Sequence, residues 1–297
     1  MKLLFLPFLA LLKVLVSGQN LNYDGITGLI YSPNYPKDYD NSANVVFTIT
    51  VPSGHYIHLT FLDFLTEDSY DYLAVQQGTG DEAEPIQNYS SISGDRTGLS
   101  IDITSSEATL VFTSDLTTTF RGFAIRFDSV LTGSEYMPTN TCSSPLHSSE
   151  FGIVTSPSFP DNYPNNISCS YLLIAPASHV ITLQFVAFNT EDGYDIVYVY
   201  DGSNNSYPLV GKYSGKKVPA TIYSTGNTLY LFFQSDLVNN FSGFSALYTS
   251  AAASNEFRRG VLPQSYTADP TPRRDANILK WLKDKKGAAS VGGANSI

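Results

Sequence analysis

The chain has 297 residues, few charged side chains (15%) and a formal net charge of −10 at pH 7. Residues 19–254 contain 7 basic and 23 acidic side chains, whereas residues 255–297 contain 8 basic and 4 acidic ones. An acidic body argues against a nucleic-acid partner and favours cationic partners or metal ions. The plainer alternative is an acidic surface that only maintains solubility.

The first 18 residues predict a secretory signal peptide. Lys2 precedes an apolar stretch at residues 3–12, and Gly18 is small enough for cleavage after it. An uncleaved membrane anchor is the alternative, but this stretch is too short to span a bilayer, and no other segment is apolar enough to do so. We therefore expect a secreted, extracellular protein without a membrane span.

The region after the signal is a repeat of whole domains. GLIYSPNYPKDY from Gly28 matches GIVTSPSFPDNY from Gly152, and the sequences that begin at Leu59 and Leu183 continue the match at the same spacing. After a short deletion, SDLTTTFRGF in the first unit matches SDLVNNFSGF in the second. The repeat predicts a domain at residues 19–130, a linker at 131–141, a second domain at 142–250 and a basic tail at 251–297.

Apolar and polar residues alternate along each unit, as in Phe47, Ile49 and Val51 and again in Leu110 and Phe112. Short alternating runs between clusters of Gly, Pro, Asn, Asp and Ser are typical of antiparallel β-sandwiches. We therefore expect an all-β protein without a helix before residue 275. The linker shows no sign of a large apolar interface, so we expect the two domains to unfold separately.

Both units contain G-x-[IV]-x-S-P-x-[YF]-P-x-x-Y, then F-x-x-F-x-x-E…Y-D, then a Gly, and finally S-D…G-F. With these motifs each unit resembles the CUB domain of extracellular proteins such as the early complement proteases, tolloid-like proteases and spermadhesins. The resemblance covers residues 22–130 and 140–250. It implies a jelly-roll-like sandwich of two sheets in each unit.

Cys142 and Cys169 are the only cysteines. In an oxidising compartment such a pair most often forms a disulfide, and the resemblance places these two where the first CUB disulfide belongs. The first unit has Gly18 and Val45 at the matching positions, and Ser214 occupies one position of the usual second bond. We therefore expect one disulfide in the second domain and none in the first.

The resemblance also implies a calcium site in each unit, since many CUB domains bind calcium through these Glu and Asp positions, with a Tyr hydroxyl that supports the Glu. The matching residues are Glu67, Asp71 and Asp115 with Tyr39, and Glu191, Asp195 and Asp236 with Tyr163. Calcium prefers several oxygen ligands, and converging carboxylates repel one another unless a cation lies between them. The alternative is that these are ordinary turn residues.

Two further sets of motifs concern processing. The N-x-[ST] motif predicts N-linked glycans at Asn88, Asn166, Asn204 and Asn240. Dibasic pairs at residues 258–259, 273–274 and 285–286 indicate that proteases could release the tail as a peptide. A basic tail that stays attached and solvated is the alternative.

The sequence contains no motif that is typical of an enzyme active site. None of the four histidines is accompanied by a nucleophile or metal motif such as GxSxG or HExxH. The leading hypothesis is an extracellular interaction module that uses calcium-ordered acidic loops to bind a protein with exposed Lys or Arg, or a glycan. A secreted precursor of the basic tail and a structural matrix component are the alternatives.

Overall fold

The computed structural model describes residues 19–143 and 146–253. The predicted signal peptide and the dibasic pairs of the predicted tail lie outside the described residues. The described part contains strands, two short 3-10 turns and no α-helix, and none of its segments forms a helix long and apolar enough to cross a membrane. The strands are β1 Gln19–Asp24, β2 Thr27–Tyr31, β3 Asn44–Thr50, β4 His55–Leu65, β5 Tyr72–Gln77, β6 Glu84–Pro85, β7 Ser100–Ile103, β8 Glu107–Thr113, β9 Gly122–Leu131, β10 Leu146–His147, β11 Phe151–Thr155, β12 Ser168–Ile174, β13 His179–Asn189, β14 Ile196–Tyr200, β15 Leu209–Tyr213, β16 Ile222–Tyr223, β17 Thr228–Gln234 and β18 Gly243–Ala252.

The strands form two sandwiches of the same topology. The first packs the sheet β1-β3-β8-β5-β6 on β2-β9-β4-β7, and the second packs β10-β12-β17-β14-β15 on β11-β18-β13-β16. The prediction of two all-β sandwiches is confirmed. The pairs β1–β3 and β10–β12 are parallel rather than antiparallel, because β2 and β11 lie in the opposite sheets and the chain crosses over before it returns.

The core of each sandwich lies between its two sheets. Phe47, Ile49, Leu110 and Phe112 of the first domain are fully buried, as the alternating pattern predicts. The second core is built in the same way around Tyr171, Leu173, Leu231, Phe233 and Phe244. Burial of these large side chains is the main stabilising contribution in both domains.

The S-P and G-F motifs of each repeat meet in one tight contact. The Oγ of Ser32 accepts a hydrogen bond from the backbone N–H of Phe123 at 2.9 Å, and Ser156 repeats this contact in the second domain. Gly122 has a φ of +79°, and a Cβ at that position would lie 1.9 Å from the Ser32 Oγ. Glycine is therefore required here both for its backbone conformation and for its lack of a side chain.

A disulfide joins Cys142 to Cys169, with a Cα–Cα distance of 5.4 Å. It ties the start of the second domain to β12. Closing a loop of this length stabilises the domain by roughly 3 kcal/mol in the chain-entropy description. The first domain contains no cysteine and relies on non-covalent contacts alone.

The first domain has a buried ion pair that the second lacks. Arg121 donates two hydrogen bonds of 2.7 Å to Asp63, which is fully buried and also accepts a hydrogen bond of 2.9 Å from the Tyr35 hydroxyl. The matching positions in the second repeat are Ala187 and Ser242. The two domains thus share a fold but not the same internal cross-links.

The linker contacts both domains. The ring of Tyr136 stacks on that of His58 with 3.6 Å between centroids, and its hydroxyl accepts a hydrogen bond from Arg126 at 2.8 Å. Further along, the backbone carbonyl of Thr139 accepts a hydrogen bond from the N–H of Ser158 in the second domain. The linker is therefore anchored to the first domain at Tyr136 and to the second at Thr139.

An apolar cluster joins the two domains directly. The Phe151 ring of the second domain lies 5.5 Å from Tyr31 and 6.1 Å from Tyr35 of the first, and the Ser245 hydroxyl donates to the Leu62 carbonyl at 2.7 Å. Other members of the cluster are Ala124, Ile153, Val186 and Leu247. The expectation that the domains unfold separately does not fit such an interface, because each domain covers apolar surface of the other.

We predict that the two domains unfold in one calorimetric transition and that Phe151→Ala resolves it into two. The variant removes the ring that contacts both tyrosines, so the interface loses much of its apolar contact. Tyr70→Ala is the control, because Tyr70 is 60% exposed and lies outside the cluster. Two transitions in the unmodified protein would contradict the role of the interface.

We also predict that Gly122→Ala destabilises the first domain by about 1–3 kcal/mol more than Gly133→Ala does. Both glycines have positive φ, but a Cβ at Gly133 meets no atom within 4 Å. The control variant therefore carries only the backbone strain, whereas Gly122→Ala adds overpacking against Ser32. Chemical denaturation measures the difference, and equal losses would contradict the steric argument.

Candidate metal centres

Three carboxylates meet at one end of the first sandwich. Glu67 and Asp71 lie in the loop between β4 and β5, and Asp115 follows β8, the neighbour of β5 in the sheet. Each offers an oxygen, and these oxygens all lie within 4.8 Å of one another. The loop is closed by a hydrogen bond from the Asp71 N–H to the Glu67 carbonyl, which brings both carboxylates to the same side of the loop.

Asp71 is the buried centre of this cluster. One of its oxygens accepts a hydrogen bond from the Tyr39 hydroxyl at 2.5 Å, and the other accepts one from the Asp115 N–H at 2.7 Å. The Tyr39 oxygen in turn accepts the Glu67 N–H at 3.1 Å. The tyrosine therefore supports Glu67 through its backbone N–H and also holds the Asp71 side chain.

Burial, followed by the hydrogen bond to Asp71, raises the pKa of Tyr39 well above its usual range. The hydroxyl accordingly stays protonated and remains a donor to Asp71 at any physiological pH. Asp71 keeps both of its oxygens in fixed positions as a result, and it holds the Asp115 loop against the Glu67 loop.

Glu67 has an oxygen that the protein leaves unsatisfied. Its Oε2 is buried and has no hydrogen-bond partner. Burial raises the pKa of Glu67, and the charges of Asp115 and Asp71 raise it further. A carboxylate in this position is destabilised by its surroundings, and a cation between the three groups would remove that cost. The donor set consists of carboxylate oxygens, which fits a hard cation such as calcium.

The second domain repeats this arrangement. Tyr163 donates to Asp195 at 2.5 Å, and Asp195 accepts the N–H of Asp236 at 2.8 Å. Glu191, Asp195 and Asp236 offer oxygens within 4.8 Å of one another, and the Glu191 Oε2 is buried without a partner. The orphaned oxygen thus occurs at equivalent positions of both domains.

The repeated motifs do not identify the residues that contact the glutamates. Asn239 donates a hydrogen bond of 2.6 Å to the Oε1 of Glu191, and the side chain of Thr118 bonds Glu67 and moderates the rise of its pKa. Thr118 and Asn239 occupy the same position in the repeat, and both have positive φ. The one sequence feature that could have indicated this position is the Asn three residues after the S-D motif of the second domain, since Asn tolerates a positive φ.

Exposed apolar side chains adjoin the carboxylates. Next to Asp71 and Asp115 in the chain are Tyr70, which is 60% exposed, and Leu116, which is 79% exposed. The second domain has Tyr194 and Leu237 at the matching positions, 66% and 74% exposed. Each acidic cluster is thus bordered by an aromatic and an aliphatic side chain that the domain itself does not bury.

The predicted glycan sites lie on the surface. Asn88, Asn166 and Asn204 are exposed. Asn240 is half-buried, and its side-chain oxygen accepts a hydrogen bond of 3.1 Å from Asn162. It directly follows Asn239, so a glycan on Asn240 would lie next to the second acidic cluster.

The family model that matches this chain is that of the CUB domain, at residues 18–127 and 142–248. Human neuropilin-2 is 30% identical over 236 residues, which cover 74% of this chain and 24% of that protein. Human procollagen C-endopeptidase enhancer 1 is 33% identical over 235 residues, which cover 75% and 51%. The chain thus spans about a quarter to a half of the length of these relatives.

Among solved structures, the MASP-1 CUB2 domain bound to Ca2+ is 25% identical, with a TM-score of 0.32, and the match covers 36% of this chain and 96% of that one. The family match covers both sandwiches and each of the repeated motifs. The chain therefore belongs to the CUB-domain family and carries two CUB domains in tandem.

Proposed function

We propose that this chain is a secreted, non-enzymatic interaction protein whose CUB domains bind calcium and a basic side chain of an extracellular protein at the same sites. The carboxylates of Glu67, Asp71 and Asp115 would hold one ion, and those of Glu191, Asp195 and Asp236 a second. The observation that carries the proposal is the pair of buried glutamate oxygens, Oε2 of Glu67 and of Glu191, that lack any partner. The predicted signal peptide supports secretion.

Within each site the residues have different parts. Asp71 is fully buried and has both oxygens engaged by the protein, whereas Glu67 and Asp115 are only half-buried. Calcium, when bound, supplies the positive charge that the three carboxylates need and orders both loops. Glu67 and Asp115 then present oxygens to a Lys or Arg of the partner through a charge-assisted hydrogen bond.

The exposed side chains at the rim suit a long basic residue. Lys and Arg bring an aliphatic stem as well as a charge, and Tyr70 and Leu116 offer apolar surface for that stem. Exclusion of water by such a rim strengthens the polar contact at its centre. A partner with exposed Lys or Arg therefore fits this surface better than a neutral glycan does.

The first domain is the better candidate for partner binding. In the second domain Asn239 already occupies one oxygen of Glu191, and the Asn240 sequon follows immediately. In the first domain the equivalent residue, Thr118, also bonds the glutamate, but its side chain is smaller, and the cluster has no neighbouring sequon. Both domains would bind calcium, but the first would make the main contact.

We predict that 2 mM calcium stabilises the protein by about 0.6–1.8 kcal/mol per site, or a few degrees in Tm, for a Kd on the order of 10⁻⁴–10⁻³ M. Asp115→Asn should remove the contribution of the first domain. The asparagine oxygen can still accept the hydrogen bond from the Thr117 N–H, so the fold is retained while one ligand charge is lost. Thermal melts with calcium and with chelator measure the effect.

Asp24→Asn is the matched control, because Asp24 is an exposed aspartate of β1 and its loss changes the net charge equally. Capture of extracellular proteins by immobilised protein should depend on calcium and decline with Asp115→Asn and with acetylation of the partners' lysines. An absent calcium shift would overturn the metal sites. If calcium raises the Tm but capture is unaffected by chelator and by lysine acetylation, the calcium sites stand and the proposal of a basic partner residue is wrong.

A further inference from the structure

The outer strand of the second domain's five-stranded sheet has a free edge. β15 pairs with β14 on one side, and no strand of the described residues pairs with it on the other. Its first two residues, Leu209 and Val210, are 45% and 42% exposed. An exposed, apolar edge of this kind presents unpaired backbone N–H and C=O groups to any extended chain.

The corresponding edge of the first domain is blunted. There β6 has only two residues, Glu84 and Pro85, both exposed. A proline cannot donate a hydrogen bond, and a charged, short edge strand discourages pairing with another chain. The contrast between two copies of one fold shows that the open edge is particular to the second domain.

The outward face beside β15 is aromatic. Tyr198, Tyr200, Tyr230 and Phe232 form a block of rings on β14 and β17, with centroid distances of 6.1–6.5 Å between neighbours. The Nζ of Lys212 on β15 lies 5.2 Å from the centre of the Tyr198 ring. The first domain has smaller side chains at the positions that match the four rings, namely Ala74, Gln76, Thr109 and Val111.

The positive charge of the second domain is concentrated at the same edge. Lys212, Lys216 and Lys217 are its only Lys or Arg residues between positions 142 and 253. Lys212 is on β15, the other two follow in the next loop, and all three are exposed. On an otherwise acidic body, this edge therefore favours a negatively charged partner.

We propose that β15 accepts an extended acidic segment of a partner protein as a sixth strand of the sheet. The backbone of the segment pairs with the free edge. Alternate side chains point to the aromatic face, where the acidic groups reach Lys212, and the apolar side chains between them point to the opposite face of the sheet. This site lies on a different part of the domain from the carboxylates and does not need calcium.

The charges disfavour other occupants of the edge. The chain's own residues 255–297 contain twice as many basic as acidic side chains, so they are repelled by the three lysines. A second copy that paired its own β15 with this edge would bring two sets of the same lysines together. An acidic segment is the occupant that the charges favour.

The test uses the full secreted chain and a labelled, capped peptide of alternating Glu and Val. We expect the peptide to bind in chelator and to slow amide hydrogen exchange over residues 207–213. A peptide with Lys in place of Glu should not bind. A Glu and Val peptide with N-methyl groups on one edge should bind at least about tenfold more weakly, because it keeps the charge but cannot form the strand.

Lys212→Glu should also weaken the binding at least about tenfold, whereas Lys37→Glu, at an exposed lysine of the first domain, should leave it unchanged. Equal binding of the N-methylated peptide, or no effect of Lys212→Glu, would overturn the proposal. The proposal would also be overturned if ultracentrifugation showed a dimer that forms through β15 and does not bind the peptide. Loss of calcium binding leaves this result untouched, so the two proposals fail independently.

Discussion

The acidic end of each sandwich depends on one buried hydrogen bond, between a tyrosine hydroxyl and an aspartate. Tyr39 comes from the turn after β2, Asp71 from the loop before β5, and Asp115, whose N–H also bonds Asp71, from the end of β8. The buried carboxylate is satisfied by two donors, which stabilises its charge in a position that would otherwise be costly. The two hydrogen bonds of Asp71 join three distant segments and thus bring the other two carboxylates around a common point.

Much of this site could be predicted from the sequence, because every member lies in a motif that the chain repeats. The motifs identify Glu67, Asp71 and Asp115 as a set, and they identify the counterparts of these residues in the second domain. The hydrogen bond from the tyrosine hydroxyl to Asp71 was not predictable, because the motif spacing does not show which group a side chain contacts. The unsatisfied oxygen of Glu67 could not be predicted either, since the spacing of residues along the chain does not show which side-chain atoms become buried.

The interface between the domains was missed for a different reason. Alternation in a strand identifies the face that points to its own core, but the other face of β4 is buried as well, and Leu62 on it is only 5% exposed. Tyr31 and Phe151 look like ordinary strand residues in the sequence. Only the packed structure shows that they cover one another, and with them the linker becomes part of a single unit.

The two domains differ in their internal cross-links and in the surfaces that they expose. The first has a buried ion pair at Asp63 and Arg121 and a blunted edge, whereas the second has the disulfide and an open, lysine-lined edge. The first is therefore suited to contacts at its acidic end, and the second has an additional lateral surface.

A crystal structure of the protein grown with calcium tests the central claim most directly. The account predicts one ion in each domain, 2.3–2.6 Å from carboxylate oxygens that include the Oε2 atoms of Glu67 and Glu191. Clusters that remain empty at millimolar calcium, with those two oxygens hydrogen-bonded to the protein instead, would contradict it.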